Sequence, residues 1–430
     1  MRGNPKPLPA RRGLKWLRWI TFSCVALILF YAMEDWRGLK AWRAAQTQLA
    51  KDHQPTNFAA LVPRTVPDAQ NFYKVPLVQR LHLGNSNERK DPETVLEAKE
   101  FDELYEAIQR PYARLDGDFA TMASVPVCNL GAFQTVAKRL ALEARQDFLH
   151  GRTNQGIQDF AILKGLLLPL DAHPRFLDVA IFRTSVGSLY ADTFKNVLME
   201  KGIKEAELAE LQAQLENMNV LLGVGETIHL YERLYACELL DGLARLPWFA
   251  SDRRLLELFP PGQLPGLGLR LAPAGWVRQN QASVVQDLLR IADCYDPGKR
   301  RFDLKELAEL ERELTNRRAT PYTFLSLRIA RNCLAALKSA AYRQTRIDQA
   351  LIVCALERYR LKHHQYPVEL EEISPRVLAI RPRDVFGGRE FVYRRKSPND
   401  FLLYAVGSNG VDDGGQPCDT KHPETGDWVW

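Results

Sequence analysis

Hydrophobic and polar positions change rhythm twice along the chain. From Trp19 to Met33 there is no charged residue, and Trp16, Leu17 and Trp36 extend the apolar character on both sides. Read as one helix, Trp16 to Trp36 matches the hydrocarbon thickness of a bilayer, since ~20 residues rise ~1.5 Å each. Its tryptophans suit the two interfaces, and Arg18 snorkels toward the headgroups. Arg37 to Lys51 then reads as a polar helix leading away. From there to His364, apolar residues recur at helical spacing. Beyond it they alternate.

The helical stretch predicts an irregular bundle. "VLEAKEFDELYEAIQR" ends at Pro111. "GAFQTVAKRLALEARQDFLHG" places Phe133, Val136, Leu140 and Ala144 on one side, with Gly151 as C-cap. "NQGIQDFAILKGLLLPL" follows after a short turn, which predicts a helical hairpin. Further helices are expected over Arg175 to Met199, Glu205 to Leu222 and Glu226 to Leu246. The pairing resembles tetratricopeptide-like hairpins, but no ~34-residue period is sustained. Leu61 to Leu81 is punctuated by prolines and reads as an extended surface run. Phe259 to Gly275, rich in proline and glycine, is the best internal break and reads as a loop or binding flap. Phe324 to His364 contains neither proline nor glycine. It predicts one helix of ~60 Å, or two that break near Gln344-Thr345.

The last quarter has a different grammar. A helix runs into Tyr366-Pro367, and a short second helix carries Leu370 and Ile373. "DVFGG", a strand "EFVYRR", a turn "SPND", a strand "FLLYAVG" and a glycine-aspartate loop follow. Phe391, Tyr393, Phe401 and Leu403 suggest an antiparallel β-hairpin with one buried face. The fold class expected is therefore mainly α: an N-terminal transmembrane helix, a helical hairpin bundle and a small C-terminal α+β module. The segments are a basic tail (1–15), an anchor (16–36), a helical domain (37–320), and a long helix with the module (321–430).

Charge orients the anchor. Arg2, Lys6, Arg11, Arg12, Lys15 and Arg18 precede its uncharged core with no acid among them, and Glu34 and Asp35 follow that core. The positive-inside rule then puts the N-terminus in the cytoplasm, the span in the inner (cytoplasmic) membrane and the bulk of the chain outside. The region after Ala32 lacks a small-x-small cleavage pattern, which favours an uncleaved signal-anchor over a removed signal peptide. The net charge of +6 is small for 430 residues, and no basic face with interleaved aromatics recurs, so nucleic acid is not an expected partner. The seven cysteines include no CxxC and mostly sit among apolar neighbours, which predicts buried small side chains.

The C-terminal order resembles the globular part of type II secretion major pseudopilins. The resemblance rests on Tyr366-Pro367, Asp384 to Gly388, the Tyr404-x-Val406-Gly407-x-Asn409-Gly410 strand and loop, Asp412 to Gly415, and Gly426-Asp427-Trp428. "VPDAQNFYKVPL" and "RPYARLD" look, more broadly, like a group of uncharacterised bacterial membrane-anchored helical proteins that end in the same module. The pseudopilin resemblance implies a calcium ion in the terminal loop. The residue types suit it, because calcium takes six to eight oxygens at flexible geometry. Asp412 and Asp413 supply carboxylates, Asn409 an amide oxygen, and Asp427 or Asp419 closes the site from the tail. The plainer alternative is a polar turn whose aspartates bond nearby backbone N–H groups. The chain departs from the family in two ways. Gly13 is not followed by the acid of a prepilin processing site, and a large helical domain separates anchor from module.

Catalytic signatures are missing: there is no GxSxG, HExxH, P-loop or GxGxxG pattern. His363-His364 reads as a solvated helix end or a metal pair. Glu226, His229 and Glu232 in "GETIHLYER" share helical spacing, as a salt-bridge cluster or a metal face. These readings favour structural or interaction work at the cell envelope, with protein partners. The alternative is an extracytoplasmic hydrolase with an unrecognised site in the helical domain.

Overall fold

The computed structural model describes residues 10–83, 96–97, 99–119, 121, 124–168, 177–200, 202–216, 218–245, 272–419 and 425–430, with the side chains of 10–15 excepted. The expected flap lies almost wholly outside these residues. The protein is mainly helical, with small antiparallel sheets. Helix α1 runs unbroken from Ala10 to Lys51. It has two characters. From Trp16 to Phe30 every side chain is exposed, including Trp19 and Phe22 at 69% and 67%. Beyond that, Glu34, Gly38, Ala45 and Leu49 form one buried stripe at helical spacing.

The chain divides into two compact units. The first holds residues 1–54, 235–286 and 318–329. In it, α1 meets the start of the helix Ala274–Asp293 backbone to backbone. A Cβ on Gly38 would lie 2.2 Å from the Gly275 carbonyl oxygen, and one on Gly275 would lie 2.0 Å from that of Glu34. Only glycine permits this approach. Asp35 Oδ1 accepts from Gly275 N at 2.7 Å, so a carboxylate of one helix caps the N-terminus of another.

The second unit holds residues 55–234, 287–317 and 330–430. The predicted hairpin is formed by α2 (Leu130–Leu149) and α3 (Thr153–Gly165), which pack together. Asn129 caps α2 through Ala132 N, and Gly151 ends it at φ +75°. A helix over Leu177–Met199 packs against both. The helix expected over Glu205 to Leu222 stops at Glu216. Buried Arg183 donates to the carbonyls of Asn219, Val220 and Leu222, holding that segment as a turn. Only the start of the Leu61–Leu81 run, to about Pro67, is a surface extension as expected; the remainder is not. It folds into short 3-10 turns and a helix over Pro76–Leu83, and Phe72, Tyr73, Val75, Leu77 and Val78 are buried. Pro76 opens its helix, where a missing N–H costs nothing.

The long helix Phe324–His363 is continuous. Its polar pair does not break it, because both groups are bonded. Gln344 accepts from Val220 N at 2.7 Å and donates to Asp348 at 3.0 Å, and Thr345 Oγ1 donates to Ala341 O at 3.1 Å.

The C-terminal sheet has three strands: β3 (Val392–Ser397), β4 (Asp400–Ala405) and β5 (Trp428–Val429), in the order β3-β4-β5. The hairpin register pairs Tyr393 with Leu403 and Arg395 with Phe401, as the alternation suggests. The single buried face holds only partly, because Leu403, Tyr404 and Ala405 are all buried. A second hairpin, β1 (Tyr295–Asp296) with β2 (Arg301–Phe302), fastens to this module. Phe302 N donates to Val385 O at 2.8 Å, and Phe302 stacks on Phe386 with centroids 4.9 Å apart. Phe386 meets Trp428 edge-on at 5.0 Å, and Trp428 meets Tyr342 of the long helix at 4.9 Å.

Candidate functional site

The loop after β4 gathers the four residues singled out in the sequence. Gly407 turns the chain at φ +80° against the Trp428 indole, where a Cβ would lie 3.0 Å from Nε1. Asn409 then accepts from Val411 N at 3.0 Å and donates to Asp413 Oδ2 at 3.2 Å. Asp412 Oδ1 accepts from Gly414 N and from the Tyr404 hydroxyl, both at 2.9 Å. These two donors hold the Asp412 carboxyl below the usual carboxylate range.

Asp427 comes from the tail and has no exposed surface. Its backbone is pinned by Asp427 N to Gln416 O at 2.8 Å and by Cys418 N to Asp427 O at 3.0 Å. Oδ2 accepts from Gly415 N at 2.7 Å, whereas Oδ1 is buried with no hydrogen-bond partner. Burial pushes the Asp427 carboxyl up against the opposing pull of the Gly415 amide, and the charges of Asp412 and Asp413 push it further. Asp419 lies further along the tail, its amide donating to Thr425 Oγ1 at 3.1 Å.

The arrangement is an anionic bowl: two exposed carboxylates over a third that is buried and half-satisfied. Among the described residues no three His, Cys, Asp or Glu side chains are placed to hold a metal by themselves. A cation here would therefore draw on backbone carbonyls and the Asn409 amide as well, a donor set that suits calcium better than zinc. The orphaned Asp427 oxygen fits such a group. Sequence reasoning missed Tyr404, whose hydroxyl positions Asp412. Its place in β4 reads only as a strand residue.

The other candidates separate. Thr227–Glu232 forms a π-helical turn, which disrupts the regular spacing that would align Glu226, His229 and Glu232. Glu232 is buried, accepts from Leu177 N and is pushed to about 7, chiefly by burial. His229 is lowered by burial and by Arg233. The expected surface cluster is thus not formed. His363 stacks on Tyr359 with centroids 4.2 Å apart, while His364 ends the helix at φ +59°. The two rings line no common metal site. His363 instead borders an open cleft of about 320 Å³ with Arg358, Tyr359, Lys362, Glu372 and Val377. Arg358 bonds Glu205, and the Tyr359 hydroxyl donates to Glu372 at 2.8 Å.

A further group lies inside the module. Asp384 and Asp348 are both buried, Asp384 is pushed to about 7 and Asp348 to about 6, and burial is the main cause for each. Arg300 pairs with Asp348 at 3.2 Å, and Phe386 N donates to Asp384 Oδ1 at 2.9 Å. None of the seven cysteines is in a disulfide. Cys128, Cys237, Cys294, Cys333 and Cys354 are buried, as expected of small apolar side chains.

Compared with known protein families, with curated proteins and with solved structures, the chain matches none.

Proposed function

We propose that this is a single-pass, membrane-anchored protein that does structural or interaction work at the cell envelope. The carrying observation is the apolar first half of α1. It is long and apolar enough to cross a bilayer, and its side chains from Trp16 to Phe30 are exposed among the described residues. An uncovered apolar surface of that size in water is an aggregation hazard, and lipid resolves it. Orientation rests on Lys and Arg counts near the span. Six before the uncharged core (Arg2, Lys6, Arg11, Arg12, Lys15, Arg18) stand against four after the span (Arg37, Lys40, Arg43, Lys51), which favours a cytoplasmic N-terminus and an extracytoplasmic bulk in an inner (cytoplasmic) membrane. Carbonate extraction of membranes tests the anchor. The full chain stays with the pellet and a chain starting at Glu34 is released. Release of both would remove the basis of the reading.

The terminal module is proposed to be pseudopilin-like and stiffened by calcium at Asn409, Asp412, Asp413 and Asp427. The buried, unpartnered Asp427 oxygen beside two exposed carboxylates supports this. The ion would supply only charge compensation and cross-linking of β4, the loop and the tail. Calorimetric titration of the full chain in detergent with calcium chloride gives saturable binding, abolished by Asp412→Ala/Asp413→Ala. Absence of heat from the well-folded parent would reduce the loop to a polar turn.

A further inference from the structure

Resting on the reading of α1 as a membrane span, the geometry points to a second element of the first unit at the bilayer. We propose that the edge formed by Trp276 and Tyr322 lies in the lipid headgroup layer. With Phe30 and Trp36 it makes an interfacial ring that fixes the depth of the anchor.

The uncharged core Trp19 to Met33 covers ~22 Å at ~1.5 Å per residue, against hydrocarbon of ~30 Å. Even counted from Trp16, the run to Met33 covers ~27 Å and ends about two residues short. The bilayer surface must therefore come down close to the residues that follow Phe30. There Glu34 and Gly38 are buried against the protein, whereas Met33 and Trp36 stay exposed. Phe30, within the apolar run, meets the Trp276 ring edge-on at 6.4 Å. A lipid layer that surrounds Phe30 cannot avoid Trp276, which is itself partly exposed.

The chemistry of the contact suits that depth. Glu34, the first charge after the apolar run, is 1% exposed. Its carboxylate accepts from Arg37 at 2.8 Å and from the Trp276 indole N–H at 3.1 Å. Asp35 is bonded to Gly275 N. The acids at the membrane boundary are thus compensated within the protein. Trp276 in turn meets Tyr322 at 6.0 Å, and the Arg37 guanidinium lies over the Tyr322 ring at 5.5 Å. Lys40 lies over the exposed Trp36 ring at 5.4 Å. Aromatic rings with basic groups just beyond them are the composition of a membrane interface.

The edge is rigid. Asn280, fully buried, donates to Pro321 O at 2.8 Å and accepts from Leu325 N at 2.9 Å and Ser326 N at 3.2 Å. It ties the segment bearing Tyr322 to the helix bearing Trp276.

The experiment is tryptophan quenching in vesicles of phospholipid brominated at shallow or deep acyl positions. The full chain carries Trp16→Phe/Trp19→Phe/Trp36→Phe, and spectra are compared with and without Trp276→Phe. The Trp276-dependent emission falls at least twofold with shallow bromines and little with deep ones. Tyr322→Trp in the same background guards against a folding defect and adds emission with the same depth profile. A separate variant retaining Trp19 reports the anchor itself. Deep quenching of Trp19 with no quenching of Trp276 or the residue-322 reporter would overturn the inference and leave the anchor standing. No quenching at any of these positions overturns both.

Discussion

Asp384→Asn should flatten part of the pH dependence of stability. The Asp384 side chain is 1% exposed, and its carboxyl is pushed from the ordinary 3.8 to about 7, first by burial and then by the charge of Asp348. The amides of Phe386 and Gly407 and the charge of Arg389 act against this. The folded protein thus holds this proton more tightly than the unfolded chain does. The contribution of Asp384 to stability is then highest at low pH and declines as pH rises from ~4 to ~7, with no further loss above its folded value. Each pH unit inside that window is worth ~1.4 kcal/mol, so Asp384 alone removes about 2 kcal/mol between pH 5 and pH 7. Asparagine keeps an acceptor for Phe386 N, which Asp384 Oδ1 meets at 2.9 Å, and carries no charge. Urea unfolding of the full chain in a mild detergent, followed by near-ultraviolet circular dichroism at pH 5, 6 and 7, measures the difference. Wild type loses about 2 kcal/mol more than Asp384→Asn across this range. Parallel pH profiles for the two proteins would refute the assignment of a buried proton to Asp384.

Three further outcomes follow from single contacts. Gly38→Ala drives a Cβ into the Gly275 carbonyl at 2.2 Å between two helix backbones, so it should cost about 3 kcal/mol or more, and a melting temperature unchanged within error contradicts the close crossing. Arg300→Met leaves Asp348 buried without its cation and should cost ~2–4 kcal/mol at pH 7, with most of the loss recovered near pH 5, where Asp348 is protonated. Loss that is equal at both pH values would show that packing, not charge, is at stake. Trp428→Ala removes the ring between Phe386 and Tyr342 and should cost ~3–5 kcal/mol in the same urea assay, whereas a loss under 1 kcal/mol would mean the tail strand is dispensable.

Local chemistry carried most of what could be read from the chain. The apolar run, the α2–α3 hairpin, the Gly151 stop and the β3–β4 register all depend on residues near one another in sequence. What was misread depends on distant partners. The Asn219–Leu222 turn is imposed by Arg183, some thirty-six residues earlier, and by Gln344 from the long helix. Within Leu61–Leu81 the first residues are extended as the prolines imply, but Pro76 sits at a first turn where proline is welcome, and the chain there is helical. The π turn at Thr227 has no local signal and moves Glu232 inward. The candidate loop was legible as a set of oxygens. That Asp427 would be sealed under the loop with one oxygen unbonded depends on β5 joining β4, a strand of two residues that no periodicity announces.

The central claim is an anchored chain with its bulk outside the cytoplasm. Protease added to intact spheroplasts of a bacterial host that expresses the full chain tests it most directly, with tags at both ends. The account predicts loss of the C-terminal tag and survival of a small N-terminal fragment that includes α1 up to about Lys51. Survival of the C-terminal tag until the membrane is broken, with the cytoplasmic control protein equally protected, would contradict it.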